Sequence, residues 1–142
     1  MDKAAKTLKK LCEMDFDAIE AYEEAMKRLE DKSISDKLAE YRSDHMAHTD
    51  TLNTLLSSRG EEVVDGPDSK RVLTEGKVVI ADLLGDKAIL KAMVANEKIT
   101  VKAYKEAADN DALNAEEKSK VAEHYEDEKR HHDWIKSTSE NM

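Results

Sequence analysis

Asp15, His45, His48, Glu97, Glu128 and His131 stand where a helical protein ordinarily places apolar side chains. Each interrupts a series that steps by alternating fours and threes, the spacing that lines one face of a helix. The first series is Leu8, Cys12, Asp15, Ile19, Tyr22, Met26, Leu29, and the second is Ile34, Leu38, Tyr41, His45, His48, Leu52, Leu55. The third is Leu90, Val94, Glu97, Val101, Tyr104, Ala108, and the fourth is Val121, His124, Glu128, His131, Ile135. Burying an unpaired carboxylate is very costly, so interruptions in the middle of all four faces need a common cause. Carboxylates and imidazoles are the oxygen and nitrogen donors that hold transition metals, and a shared metal site accounts for all six. The competing cause is a hydrated polar layer that fixes helix register without any metal.

Four helices are needed to position these groups, and the punctuation of the chain supplies them. One Pro and four Gly in 142 residues, with 39% of residues charged, favour helices over strands in a single domain spanning 1–142. The first helix is expected over about residues 3–30, before the polar turn Asp31-Lys32-Ser33. Ser33 with Asp36 resembles a capping box for the second, which stops at Arg59 with Gly60 as a left-handed cap. Residues 60–67 read as loop. Val72, Leu73, Val79, Ile80, Leu83 and Leu84 suggest a short amphipathic helix over 68–84, weakened by Gly76. Gly85 and Asp86 open the third helix, which runs to about Ala108. Asn114 with Glu117 is a second capping box, opening a helix that runs to roughly Lys136 and leaves the tail STSENM frayed.

The two halves repeat one another. Residues 15–25 (DFDAIEAYEEA) align with 97–107 (EKITVKAYKEA), and 41–52 (YRSDHMAHTDTL) align with 124–135 (HYEDEKRHHDWI). Asp15 thereby corresponds to Glu97, Tyr22 to Tyr104, His45 to Glu128 and His48 to His131. Each half reads as a helical hairpin, with residues 60–85 crossing between them. The six polar groups lie at similar distances from turns near residues 32 and 112, which places them within a slab of about one helical turn.

Glu128-Lys129-Arg130-His131 has the E-x-x-H spacing of the ferritin-like di-iron carboxylate proteins, in which two helices each give a carboxylate and two give such a pair. Glu97 followed by Tyr104 also resembles the carboxylate-and-tyrosine helix of that superfamily. The hairpins and the RGEEV turn after the second helix are most similar to uncharacterised bacterial ferritin-like domains of unknown function. The resemblance implies an all-α, ferritin-like four-helix bundle: two hairpins joined by a long crossover that carries a short extra helix. It implies a metal centre of Asp15, His45, His48, Glu97, Glu128 and His131. Iron is the expected metal, as a di-iron or mono-iron centre, with O2 or peroxide as its partner in oxidation or iron handling.

Two positions depart from the family pattern. His45 replaces the Glu of the first E-x-x-H, and Asp15 is shorter than the usual Glu. Two divalent ions against three carboxylates leave one positive charge more than the family arrangement. The imidazole-rich set also moves preference toward zinc, copper or nickel, with manganese a further alternative. Asp44, one turn before His48, would orient that histidine or replace the missing carboxylate. His124 reads as a partly exposed seam histidine rather than an extra ligand, and His132 as solvent-facing. Tyr22, Tyr41 and Tyr104 read as core residues with a hydrogen bond near the site, and Cys12 as a small buried hydrophobe. Glu20, Glu23 and Glu24 form a solvated face.

Composition narrows the remaining functions. A net charge of −9 argues against nucleic acid and anionic membranes as partners, both of which select for basic patches. A single cysteine and the absence of a long apolar run or signal-peptide pattern fit a cytoplasmic protein. No nucleotide-binding glycine loop, nucleophile elbow or cysteine pair is present. A metal-storage module without turnover and a metal-free structural or stress-associated bundle are the alternatives. The apolar residues of the 68–84 segment either cover the bundle or form a homodimer interface, and the sequence leaves both open.

Overall fold

Helix boundaries here follow from which side chains and turns satisfy the free amides and carbonyls of the end turns. In the computed structural model, which describes residues 1–67, 80 and 83–142, Asp2 accepts from the Ala5 amide at 2.8 Å and opens α1 (Lys3–Arg28). Asp31 caps α2 (Lys32–Ser58) by accepting from the amides of Ser33 and Ile34. The expected Ser33–Asp36 box is therefore corrected to a cap two residues earlier. A carboxylate is the stronger, charge-assisted acceptor, and Asp36 instead meets the Lys32 ammonium at 3.2 Å. Gly60 takes the left-handed conformation (φ 76°) beyond the end of α2. There the Gly60 amide donates to the Ser57 carbonyl and the Glu61 amide to the Leu56 carbonyl, each at 3.0 Å, which closes the helix.

Gly85, with φ 88°, precedes α3 (Asp86–Ala108) and offers no side-chain cap. The Asp86 carboxylate reaches instead to the turn between α1 and α2, accepting from the amides of Glu30 and Asp31 at 2.8 and 3.0 Å. The start of α3 is thus anchored to the first hairpin. Asn114 and Glu117 form the reciprocal box that opens α4 (Ala115–Glu140). That helix continues past Lys136 through most of the tail expected to fray, because Ser139 is buried on the same face as Ile135. The Glu117 carboxylate is 2% exposed and takes a forked contact from Arg59, with Nε–Oε2 at 2.5 Å and Nη2–Oε1 at 2.8 Å. That pair binds the end of α2 to the start of α4.

The chain is a ferritin-like four-helix bundle of two hairpins, α1–α2 and α3–α4. Cross-helix pairs give the directions. Residue 15 meets 104 while 22 meets 97, so α1 and α3 are antiparallel. Residue 48 meets 127 while 44 meets 131, so α2 and α4 are antiparallel as well. The ends of α2 and α3 joined by the crossover consequently lie at opposite ends of the bundle. A helix of 26 residues spans about 39 Å, a length the short turns at 29–31 and 109–114 cannot cover. Most of the helix expected at 68–84, including Val72, Leu73, Gly76 and Val79, lies outside the described residues. Of its other apolar positions, Ile80 is buried, Leu83 is half-buried and Leu84 is exposed.

Two apolar clusters fill the bundle on either side of the polar groups. Leu8, Leu11, Leu52, Leu56 and Val121 lead one, and Leu38, Ile89, Leu90, Met93 and Ile135 lead the other. Fully burying each such side chain contributes about 1.5–3 kcal/mol, which allows the bundle to tolerate a costly layer between them. The third seam needs correction. Met93, Thr100 and Ala107 are buried where Val94, Val101 and Ala108 were expected, because adjacent apolar pairs let a helical pattern be drawn one residue out of phase. Among the described residues, no helix is long and apolar enough to cross a membrane.

Candidate metal centre

The layer between the two apolar clusters contains all six of the sequence-predicted residues, each at most 2% exposed. They form two overlapping tetrads: Asp15, His45, His48 and Glu128, and His45, Glu97, Glu128 and His131. Within each tetrad, one donor atom from every residue lies within 4.8 Å of the others. His45 and Glu128 are common to both, at the positions the internal repeat equates. Side chains at i and i+3 share a helix face, which is how α2 and α4 each contribute a pair.

The outer two histidines are held alike. His48 turns Nδ1 inward, 3.1 Å from Asp15 Oδ1, and Nε2 outward to Asp127 Oδ2 at 2.8 Å. His131 turns Nδ1 inward, 3.7 Å from Glu128 Oε2, and Nε2 outward to Asp44 Oδ2 at 2.8 Å. One nitrogen turned toward the centre and the other bound by an outer carboxylate is the arrangement that orients a ligating imidazole. Arg130 bridges the two aspartates, at 2.9 Å from Asp44 and 3.1 Å from Asp127. Asp44 therefore serves His131 rather than His48, which corrects the expectation. Asp127 was missed, although the repeat aligns it with Asp44. Asp44 and His48 share a helix, but the Asp44 carboxylate turns across to α4, where it meets His131 and Arg130.

Two tyrosines fix the carboxylates. Tyr22 donates to Glu97 Oε1 at 2.6 Å, and Tyr104 donates to Asp15 Oδ2. Tyr41 is buried with its ring 4.2 Å from that of His131. His124 is 5% exposed, not partly open, and stacks on His48 at 3.8 Å and 16°. Its Nδ1 has no hydrogen-bond partner. His132 is half-buried and meets Asp133 at 3.0 Å rather than facing solvent fully. Cys12 is buried near the Thr49 carbonyl, its thiol pushed up to about 12 by burial and then by Asp15. Glu20 is exposed and takes no part in the layer.

His45 differs from the other two histidines, since both its nitrogens face inward. Nδ1 lies 2.7 Å from Asp15 Oδ1, and Nε2 lies 3.3 Å from Glu97 Oε1. Burial works against its charge, but hydrogen bonds to Asp15 and Glu97 prevail and raise it to about 9. The same contacts hold Asp15 well below the carboxylate range and Glu97 at about 2, against burial in both cases. His48 is raised against burial by Asp127 and Asp15. His131 and His124 are lowered, chiefly by burial, His124 to about 4.

Glu128 is the exception. Burial, then repulsion from Glu97, pushes its carboxyl far up. As a carboxylate it has no hydrogen-bond donor for either oxygen, and Glu97 Oε2 and His131 Nδ1 are also without partners. Oε1 sits 3.3 Å from Nδ1 of both His45 and His48, outside hydrogen-bonding geometry. Glu97 and Glu128 belong to one tetrad, with donor oxygens within 4.8 Å of each other. A proton or a metal cation must occupy that region, because two facing carboxylates cannot both stay ionised there unaided. Four buried, unpartnered donor atoms of metal-binding type fit a cation.

The solved structure described as "X-ray structure of Dps from Thermosynechococcus elongatus" has a similar fold. It is 14% identical, with a TM-score of 0.82, and the match covers 96% of this chain and 89% of that one. No curated protein matches the sequence. The model of the family described as "Domain of unknown function (DUF2383)" matches residues 3–110, from the start of α1 through α3, and ends before Glu128 and His131. With three of the four described helices inside that match, the chain belongs to this family of unknown function.

Proposed function

We propose that this protein binds transition-metal ions in the bundle core, through Asp15, His45, His48, Glu97, Glu128 and His131, and uses iron in oxygen- or peroxide-linked oxidation or iron handling. The observation that carries this reading is the set of unpartnered atoms around Glu128, which a divalent cation would satisfy at once. Two ions would occupy the tetrads, with Glu128 between them; a single ion is the simpler form. Bound iron would supply one-electron redox chemistry toward O2 or peroxide. Asp44 and Asp127 hold His131 and His48 in orientation, while Tyr22 and Tyr104 keep Glu97 and Asp15 from swinging away. The apolar clusters on both sides restrict water in the layer. The single buried cysteine suits a reducing compartment, and we place the protein in the cytoplasm.

A metal-free polar layer is the second reading, and one observation favours it. Raised His45 and His48 can neutralise Asp15 and Glu97, with Glu128 protonated, so the layer balances its charge without a metal. Elemental analysis separates the two, using protein purified without chelator and without nickel affinity resin. Iron at one or two ions per chain, with oxygen-dependent absorbance on adding Fe(II) that is lost in His131→Ala, supports the proposal. Tight zinc, manganese, copper or nickel without iron oxidation indicates a binding or storage module. No metal after purification and none taken up on titration leaves the polar layer.

A further inference from the structure

His48 and His131 each commit their outer nitrogen to an aspartate outside the layer, whereas both nitrogens of His45 face groups within it. Its ring is completely buried, and its nitrogens face carboxylates of different tetrads: Asp15 on one side, Glu97 on the other. We propose that His45 is a bridging ligand, its ring binding one cation through Nδ1 beside Asp15 and His48, and a second through Nε2 beside Glu97 and His131. This rests on the metal-binding reading above. Binding at both nitrogens requires the ring to give up both N–H protons, which leave to solvent, so the bridge is an imidazolate.

Charge favours this arrangement. Asp15, Glu97 and Glu128 supply three negative charges against the four positive charges of two divalent ions. The excess charge would be buried between two apolar clusters, where an uncompensated ion is costly. A neutral histidine leaves that excess in place, whereas an imidazolate cancels it. His45 therefore replaces a bridging carboxylate in charge as well as in position. It does not replace it in length. With metal–nitrogen distances of about 2.0–2.1 Å on either side of the ring, the cations stand about 6 Å apart. Two-metal sites built on oxygen bridges hold their ions about 3.5–4 Å apart.

Copper(II) is the probe, because it favours imidazole. The full chain is loaded with two equivalents and studied by X-ray absorption and electron paramagnetic resonance. Two bound ions with imidazole scattering and a coupled spin pair at about 6 Å are expected, and His45→Glu should shorten the separation to about 3.5–4 Å. A spacing of about 3.5–4 Å in the unmodified protein overturns the bridge and leaves metal binding intact. So does tight uptake of only one ion. If neither the unmodified chain nor His45→Glu takes up copper, iron or zinc, the metal reading fails and the bridge with it. The spacing in the unmodified protein decides the matter even where the variant does not fold.

Discussion

The metal-free protein should lose stability on the alkaline side, and His45 contributes a definite part of that loss. Its pKa in the folded, metal-free chain is about 9, against a value of 6.5 for an unperturbed histidine. A group raised on folding stabilises fully below its unfolded pKa, and the benefit is lost as pH climbs through the folded value. The window is therefore about pH 6.5 to 9. Across that window the linkage amounts to about 3 kcal/mol for His45. Unfolding entropy of about 2.1 cal/mol/K per residue gives the 142-residue chain about 0.3 kcal/mol/K, so the fall in Tm is about 10 °C. His48 and Glu128, also raised, add to the decline as pH rises. His124 and His131 act with the opposite sign: both are lowered, so they cost stability as pH falls below 6.5. Thermal unfolding of chelator-treated protein, followed by circular dichroism from pH 5 to 9.5, tests this against His45→Gln, whose alkaline limb should be flatter by about the amount attributed to His45. A profile that is level or rising from pH 7 to 9 in the unmodified chain, or identical in both proteins, refutes the assignment of the charge to His45.

Three other outcomes are expected. Glu128→Gln keeps the shape and neutral state of the metal-free residue, so its chelated Tm should stay close to that of the parent. Metal at a hundred times its Kd should raise the parent by about 2.7 kcal/mol, roughly 9 °C, and leave the variant nearly unmoved in the same thermal assay. Tyr22→Phe and Tyr104→Phe each remove a buried hydroxyl bonded to a carboxylate, for a loss of about 1.5–3 kcal/mol in urea denaturation. Asp44→Asn and Asp127→Asn should each weaken metal binding by about 10–100-fold in competition titrations, by loosening His131 and His48 respectively.

Much of this arrangement was legible in the chain because burial of charge is so costly. His45, His48, Glu128 and His131 fall on apolar faces that leave no doubt about direction, and the box of Asn114 with Glu117 marks the start of α4. The seam of α3 was less readable: Leu90 is buried, but the following choice between Met93 and Val94 is a choice between equally apolar neighbours. The cap of α2 was misplaced because Asp31 also reads as a turn residue. Arg130 is unreadable as a partner of the site: it is a charged residue on the outer flank of a helix, like Lys129, which is exposed. Asp127 has one signal, its alignment with Asp44 in the repeat. Only the packing of α2 against α4 gives them their histidine and aspartate contacts.

That packing also explains why the repeated hairpins exchange partners. Residues equated by the repeat sit at reciprocal heights once α1 opposes α3 and α2 opposes α4. Tyr22 of the first half then reaches Glu97 of the second, and Tyr104 of the second reaches Asp15 of the first. His48 reaches Asp127 while His131 reaches Asp44, in the same reciprocal sense. The ring contacts follow as well: His131 lies against Tyr41, and His48 against His124, the two positions the repeat aligns. The symmetry breaks at Asp15 against Glu97, at His45 against Glu128, and at Tyr41 against His124. Those breaks make the tetrads inequivalent. One has a shorter carboxylate and a histidine stacked on a second imidazole; the other has a longer carboxylate and a histidine tilted against a phenol ring at 30°. The central pair is unequal too, with one imidazole and one carboxyl where a symmetric site would have two carboxylates. His45 and Asp15 are thus the residues at which a duplicated framework becomes a directional site, with donors that differ on its two sides.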